Sequence, residues 1–198
     1  MIKRGLDIKR SKKAIYSSFL KLIRRHDFSE ISVQDIIDDC GYSRAYFYHT
    51  FEDKYNMPVI FVQDEAKAYI DYFITGFLSA KSLGNKEDIY SKAGISAFEF
   101  IYSEKDFYEA LILGRIPGQG KDSFFKFAND YFIEKASYPI EKKYPDININ
   151  LYISSMTAIM GSFIEFWVKE NFEHSPEYME EQLMLFLNTV GKTDFVEA

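Results

Sequence analysis

The fold of this chain is decided by residues 31–54, which read ISVQDIIDDCGYSRAYFYHTFEDK. At the start of this segment, Ser32 can cap a short helix whose inward positions would be Val33, Ile36 and Ile37. Apolar residues three and four positions apart form one face of a helix, so this face is expected to be buried. The segment is therefore predicted to begin with a short amphipathic helix.

A tight turn and a second short helix are predicted next. Gly41 is placed to make the turn, and Ser43 offers its hydroxyl to the free amides of a helix over about residues 43–50. Two short helices joined by such a turn predict a helix-turn-helix, with Phe47 as the inward anchor of the second helix. Arginine and tyrosine on its outer face would suit base edges and phosphates, although a plain surface helix is the alternative. The predicted outward residues are Arg44, Tyr46, Tyr48 and His49.

The charge is distributed unevenly along the chain, although the formal net charge is only -6. Residues 1–25 hold nine Lys or Arg and one acid, whereas residues 61–198 hold 13 basic and 22 acidic side chains. A basic end on an acidic body is the pattern expected when one end meets phosphates and the rest stays soluble. A solvated basic helix face with no ligand is the alternative interpretation.

The rest of the chain shows helical spacing of apolar residues and no convincing two-residue alternation. We therefore expect an all-α protein of about nine helices, with a three-helix head and a larger helical bundle. Pro58 is expected to bend or separate the first turn of a long helix over 53–77. The other helices are predicted at about 8–26, 86–103, 105–113, 121–143, 147–171 and 176–190.

Residues 31–54 resemble the signature of the TetR family of transcriptional regulators. The family pattern has an apolar-Thr-apolar start, then Ile-Ala, Gly-apolar-Ser, Phe-Tyr-x-x-Phe and a Lys that opens the next helix, and this segment follows it in register. The departures are Ser32 for the usual Thr, Tyr42 for a small aliphatic residue, Tyr46 for a frequent Thr, and Thr50 for a frequent aromatic or His. These departures bear on base preference rather than on the docking mode.

The resemblance implies a DNA-binding domain over residues 1–52 and a ligand-sensing and dimerisation domain over residues 53–198. Ser32, Tyr48 and Lys54 would hold phosphates, and the remaining contacts would reach bases or nearby phosphates. The complete set of implied DNA-binding residues is Ser32, Tyr42, Ser43, Arg44, Tyr46, Tyr48, His49 and Lys54.

Residues 152–178 resemble, more loosely, the penultimate and final helices through which regulators of this family pair. A strip of small residues would let a second backbone approach closely, while packing within one subunit is the alternative. The predicted dimer-interface residues are Ser154, Ala158, Gly161, Ser162, Leu183, Phe186 and Leu187.

Aromatic residues in the larger domain are candidates for the wall of a ligand cavity of the kind that the family places there. Core packing explains most of them equally well without a ligand. The candidates are Phe98, Tyr102, Phe107, Phe124, Phe127, Tyr131 and Phe163.

Several classes of protein are disfavoured by what the sequence lacks. A single cysteine, Cys40, excludes an internal disulfide, and the three histidines lack the spacing of a helical zinc site. No recognisable catalytic motif or secretory signal occurs, and the uncharged stretch 147–164 is polar enough to be a buried soluble helix. We expect a cytoplasmic protein with no cofactor, no metal, no enzymatic activity and no membrane partner.

The sequence thus predicts a homodimeric regulator, most readily a repressor, that reads a palindromic operator in double-stranded DNA and is released by a small-molecule effector. Two other interpretations stay open. One is a family-derived coactivator that acts through protein contacts, and the other is a helical ligand carrier or enzyme.

Overall fold

The structure, a computed structural model, describes residues 2–80 and 86–189, and within them every regular element is an α-helix. The all-α prediction is confirmed, and most predicted bounds lie within three residues of those found. The first helix differs most, because it begins six residues before the predicted start. The nine helices are α1 (Ile2–Ile23), α2 (Val33–Cys40), α3 (Arg44–Phe51), α4 (Asn56–Ala80), α5 (Lys86–Ser103), α6 (Lys105–Ile112), α7 (Gly120–Lys143), α8 (Ile149–Lys169) and α9 (Pro176–Thr189).

The described residues form two compact units. Unit 1 contains the residues up to Glu65 together with Glu109–Phe124, and unit 2 contains Ala66–Tyr108 together with the residues from Phe125 onward. One contact that ties the second segment of unit 1 to its first is the ion pair between Arg24, just after α1, and Glu109, with 2.8 Å between Nη2 and Oε2. The functional boundary predicted between residues 52 and 53 is a different division of the chain, and it stays a prediction.

The core of unit 1 is built from one apolar face on each of its first four helices. The predicted inward residues of α2 are all buried, and so are the anchors of α3. Side chains with no exposed surface come from all four helices, so the head has a small, dry core of its own. These side chains are Ile15, Phe19, Ile36, Phe47, Phe51 and Met57.

The long helix α4 begins at Asn56, three residues later than predicted. The Asp53 carboxylate accepts hydrogen bonds from the backbone amides of Tyr55 and Asn56, both at 2.7 Å, and so satisfies free donors at the start of the helix. Pro58 therefore lies within the first turn, where a missing N–H is tolerated. Residues 54 and 55 form a turn that is separate from α4, as expected for the start of this helix.

The core of unit 2 is organised around Trp167, which has no exposed surface. Its ring packs edge-on against Phe98, with centroids 5.7 Å apart, and its indole N–H donates to the His174 carbonyl at 3.0 Å. That bond spans the connection between α8 and α9, where Phe172 has a positive φ of 57°. The Trp167 ring lies 5.2 Å from the Phe172 ring and helps to hold it in this uncommon conformation.

Helix α8 is long and apolar enough, by length and composition alone, to cross a membrane, with a mean hydropathy of 1.3. It nevertheless supplies Ile153, Ile164 and Trp167 to the core of unit 2, each with no exposed surface. Only 33% of its most apolar window is buried, so much of this apolar helix faces outward from the subunit.

Candidate nucleic-acid interface

The start of α2 is fixed by a reciprocal pair of bonds between Ser32 and Asp35. The Ser32 hydroxyl accepts from the Asp35 amide at 3.2 Å, while the Asp35 carboxylate accepts from the Ser32 amide at 2.7 Å. The same carboxylate also accepts from the Ser32 hydroxyl at 2.7 Å, and chiefly these bonds hold the pKa of Asp35 below its ordinary value of 3.8. Ser32 is therefore a helix cap, and the phosphate contact implied for it would have to share this hydroxyl.

The turn between α2 and α3 is made as the sequence predicts. Gly41 has φ 73° and ψ 18°, a left-handed conformation that glycine adopts without steric cost, and its amide donates to the Ile37 carbonyl at 2.9 Å. Ser43 then caps α3, since its hydroxyl accepts from the Tyr46 amide at 3.1 Å. The two caps fix both ends of the turn, so α3 leaves it in a defined direction.

The outer face of α3 presents Arg44, Tyr48 and His49, all exposed. Phe47 and Phe51 lie on the opposite face with no exposed surface, so the helix is held to the core by two aromatic anchors. Arginine at the first position of a helix combines a forked donor with the amides of the helix N-terminus, a combination that suits phosphate and guanine. The geometry therefore agrees with a recognition helix.

Tyr46 departs from the predicted outward set. Its hydroxyl is hydrogen-bonded to the hydroxyl of Ser11 on α1, and its ring stacks on Tyr42 with centroids 5.1 Å apart. Both tyrosines are only half-exposed, whereas Tyr48 keeps 43% of its surface. Tyr46 is placed to join α3 to α1, because its polar end is already bonded within the head. The serine partner 35 residues away could not be identified from helix spacing.

Lys54 is also placed differently from the prediction. Its ammonium donates to the backbone carbonyls of Phe28 at 2.8 Å and Ile31 at 2.5 Å, with the Ser29 carbonyl at 3.5 Å. The nitrogen also lies 4.5 Å from the centroid of the Phe28 ring. An ammonium has three donors, and these carbonyls occupy them. The structure thus gives Lys54 a positioning role, in which it holds the 28–31 segment that leads into α2, and the phosphate contact implied for it stays a prediction.

Part of the positive charge on α1 is neutralised inside unit 1. Lys12 and Lys21 of α1, and Arg24 just after it, form ion pairs, while Lys9, Arg10 and Arg25 are exposed. The count of nine basic residues in the first 25 therefore overstates the charge that is presented to a polyanion. The pairs join Lys12 to Asp64 at 2.8 Å, Lys21 to Asp39 at 2.7 Å and Arg24 to Glu109 at 2.8 Å.

A second link between α1 and α4 was missed by the sequence analysis. Tyr16 donates its hydroxyl to the Asp64 carboxylate at 2.8 Å, and its ring stacks on Phe61 with centroids 4.0 Å apart. Burial, and then the neighbouring Asp64 charge, raise the pKa of Tyr16, so its hydroxyl stays a donor. The spacing of Lys12 and Tyr16 on one turn of α1 was the only sequence signal for this cluster.

The predicted dimer residues do not all lie on one surface. Ser154, Ala158 and Ser162 are exposed on α8, as the predicted strip requires. Gly161 is instead buried inside unit 2, where a Cβ would lie 3.1 Å from the Phe125 ring. Leu183 is likewise buried within the subunit. Both assignments are corrected. The spacing of small residues on α8 did not distinguish its inner face from its outer face, and the apolar stripe that contains Leu183 on α9 faces the core.

On α9, Phe186 keeps 40% of its surface exposed and Leu187 is half-buried. Leu185, which the sequence analysis did not select, is 57% exposed, and Phe166 of α8 is 47% exposed. These exposed apolar side chains extend the outer surface of the two helices. Their selection would have required the core face of α9 to be known in advance.

The predicted pocket residues do not line the cavity found in unit 2. That cavity has a volume of about 40 Å³, and α4, α5, α7, α8 and α9 contribute to its wall. Phe98, Phe107 and Phe124 are fully packed core residues, and Tyr102 is 41% exposed and stacks on Trp167. The alternative interpretation, core packing without a ligand, fits the burial of Phe98, Phe107 and Phe124. The lining residues are Tyr69, Ile70, Phe73, Gly94, Phe132, Met156, Thr157, Met160, Leu183, Met184 and Leu187.

The other three pocket candidates, Phe127, Tyr131 and Phe163, are half-buried. Tyr131 donates to the Asp71 carboxylate at 3.0 Å, and Phe163 lies between Phe98 and Phe186 at centroid distances of 6.3 and 6.2 Å. No group of histidine, cysteine and carboxylate side chains capable of holding a metal ion occurs in the described part of the chain.

Known structures share this fold. A fatty acid degradation regulator, FadR, from Bacillus halodurans has a TM-score of 0.68 at 13% identity, over 88% of this chain and 96% of its own. A protein assigned to the TetR family of transcriptional regulators from Syntrophomonas wolfei has a TM-score of 0.68 at 20% identity, over 96% and 99% of the two chains. The TetR-family repressor AlkX from a Dietzia strain has a TM-score of 0.53 at 15% identity, over 89% and 92%.

No curated protein sequence matches the chain. The family model for the C-terminal region of TetR-type transcriptional regulators matches residues 91–189, which is half of the chain. Members of this family are regulators rather than enzymes, in agreement with the expectation from sequence. With a helix-turn-helix in unit 1 and this C-terminal region, the chain belongs to the TetR family of transcriptional regulators.

Proposed function

We propose that this regulator is a cytoplasmic repressor that binds a palindromic operator as a homodimer and leaves it when an effector binds unit 2. The observation that carries the proposal is the outer face of α3, where Arg44, Tyr48 and His49 are exposed over a helix anchored by Phe47 and Phe51. Two such helices would enter successive major grooves about 34–36 Å apart.

The contacts divide by chemistry. Arg44 would fork onto a guanine edge, with His49 beside it, and Tyr48 would donate to a phosphate oxygen. Ser43 and Tyr42 lie at the start of α3 and would approach the backbone there. Tyr46, Lys54 and Ser32 would act by holding α3 and α2 in place, and the exposed cations of α1, Lys9 and Arg10, would add phosphate contacts.

The outer surface of α8 and α9 supports the homodimer. Three apolar side chains on this surface are largely exposed: Leu151 at 66%, Phe166 at 47% and Leu185 at 57%. Exposed apolar side chains of this kind are stabilised when a second protein surface buries them. The small exposed residues Ser154 and Ala158 of α8 would allow close approach of a second copy. The same face from each subunit would meet in a two-fold interface.

The dimer can be tested with Leu185→Glu. A carboxylate placed in the centre of an apolar interface has no partner there, so the variant should sediment as a monomer at concentrations where the parent is a dimer. Lys126→Ala, on the exposed surface of α7, is the control and should leave the parent's sedimentation unchanged. A parent that sediments as a monomer at every concentration would contradict the proposed interface.

The DNA contact can be tested by fluorescence anisotropy. Binding is measured first with genomic fragments and then with a palindromic site identified in a fragment that binds. Arg44→Ala should lose discrimination at one base position, worth about 1–3 kcal/mol, while Lys126→Ala on the exposed surface of α7 should bind as the parent does. Parent affinity should fall steeply with salt, by about 0.9 in log-log slope for each neutralised phosphate. A protein partner recovered without any affinity for duplex DNA would instead favour the coactivator interpretation.

A further inference from the structure

One carboxylate oxygen of the buried Glu180 side chain has no described hydrogen-bond partner. Only 8% of the residue is exposed, and its Oε1 atom is buried with no hydrogen-bond partner in the described structure. Helix α9 carries no Lys, Arg or His, and its neighbouring acids Glu177 and Glu181 are exposed. A buried carboxylate oxygen without a partner is costly, so its presence on the inner face of α9 calls for a function.

Glu180 lies beside the cavity of unit 2. A Cβ built on Gly94 of α5 would lie 3.3 Å from Cγ of Glu180 and 3.8 Å from a methyl carbon of Leu183. Gly94 and Leu183 both line the cavity. The absence of a side chain at position 94 leaves room for the Glu180 stem. Glu180 is not itself a lining residue, but it lies one helical turn before Leu183 and Met184, which are.

The cavity itself is mainly apolar and adaptable. Met156, Met160 and Met184 form part of its wall, and the flexible methionine side chain repacks around ligands of different shapes. Its volume of about 40 Å³ exceeds the space that one water molecule requires, about 10–15 Å³, but is far below the roughly 300 Å³ of a drug-sized site. A ligand would therefore enter by displacing methionines.

We propose that this cavity binds a small alkyl amine, whose hydrocarbon chain packs among the methionines and whose ammonium group donates to Glu180. The proposal rests on the proposed role of unit 2 as the effector-binding part of the chain. Thr157 is among the lining residues, and a hydroxyl oxygen of this kind can accept from an ammonium group. A cationic ligand is favoured because it supplies a positive partner for the negative carboxylate. An anion of the same size would place a second negative charge beside it.

The test compares three probes of the same chain length, n-butylammonium, n-butanol and butyrate, by isothermal titration of the full chain without DNA. Butylammonium should bind about tenfold more tightly than butanol, the difference expected for a charge-assisted hydrogen bond, and butyrate should bind least. Glu180→Gln keeps the shape of the side chain and should remove the preference for the amine while leaving butanol unchanged. Glu181→Gln, the exposed neighbour, should behave as the parent.

Equal affinity of the parent for butylammonium and butanol would overturn the proposal, as would an undiminished amine preference in Glu180→Gln. Thr157→Leu offers a second check, because it fills the cavity while keeping the carboxylate, and it should weaken both butylammonium and butanol. Unchanged binding to Thr157→Leu would place the ligand elsewhere and also overturn the proposal. These titrations contain no DNA, so the two proposals can fail separately. If the chain binds operator but not the amine, only this inference is wrong. If it binds the amine but no duplex DNA, only the proposed function is wrong.

Discussion

In the helix-turn-helix of unit 1, polar side chains determine the backbone path: Ser32 and Ser43 cap α2 and α3, and Lys54 holds the segment before α2. In unit 2, the corner between α8 and α9 is held largely by one buried indole, that of Trp167. Caps and turns depend on residue type at fixed spacing, whereas a buried corner depends on which distant surfaces meet. The first kind of structure can therefore be identified from a sequence, and the second only after folding.

The largest effect should follow from Trp167→Ala in unit 2. The change removes the ring contacts with Phe98 and Phe172 and leaves the His174 carbonyl without its indole donor. Removal of a fully buried tryptophan should lower the free energy of unfolding by about 3–5 kcal/mol, measured by urea denaturation followed by circular dichroism. Trp167→Phe retains a ring and should lower the free energy of unfolding less than Trp167→Ala does. Equal losses in the two variants would show that the space left by the deleted ring is not the main cause.

How far sequence reasoning reached differs between these regions. The bounds of α2 and α3, Gly41 and the buried Phe47 were all predictable, because each follows from capping, left-handed backbone or helical spacing. The partners of Tyr46 and Lys54 were not, because Ser11 and the 28–31 carbonyls approach them only through the tertiary packing of the head. Helical spacing identified the polar face of α3. It could not show which side chains on that face would form hydrogen bonds within the head.

The cavity of unit 2 shows the same limit more strongly. Phe98 and Phe124 were chosen for aromatic character, yet both are packed in the core, while the cavity wall contains three methionines, a glycine and a threonine. A cavity forms where side chains from different helices leave space between them, and no local sequence pattern predicts that space. Glu180 could have been noticed as an acid on the apolar side of α9, since it lies one residue from Met179 and three from Leu183.

Lys54→Met should give the next largest effect and should separate positioning from phosphate contact. The methionine keeps the aliphatic length but leaves the carbonyls of Phe28 and Ile31 without their donor, so unfolding of the head should become easier by about 1–3 kcal/mol. Operator affinity should fall for all sequences alike, while the salt dependence of binding stays that of the parent. A log-log salt slope smaller by about 0.9 would instead restore Lys54 as a phosphate ligand.

A smaller effect is expected from Tyr46→Phe, which removes only the hydroxyl bonded to Ser11. The loss of one neutral hydrogen bond should lower stability by about 0.5–1.5 kcal/mol and weaken operator binding through a looser α3. Tyr42→Phe is the matched control for stability, because Tyr42 contributes its ring to the stack with Tyr46 and should lose little when its hydroxyl is removed. If Tyr46→Phe altered base preference while leaving thermal stability intact, Tyr46 would be a direct DNA contact after all.

The smallest effect should come from acid titration of the α2 cap. The pKa of Asp35 is lowered in the folded chain by hydrogen bonds from Ser32, so the carboxylate stabilises the fold above its unfolded pKa near 3.8 and loses that contribution as the pH falls through the lower folded value. Asp35→Asn should therefore lower the melting temperature of the head at pH 6, and the difference from the parent should shrink at pH values below about 4. Asp38→Asn, on the exposed surface of the same helix, controls for the loss of one negative charge. A difference between Asp35→Asn and the parent that grew as the pH fell would mean that the cap works without its charge, because the protonated acid would then still be holding the start of α2.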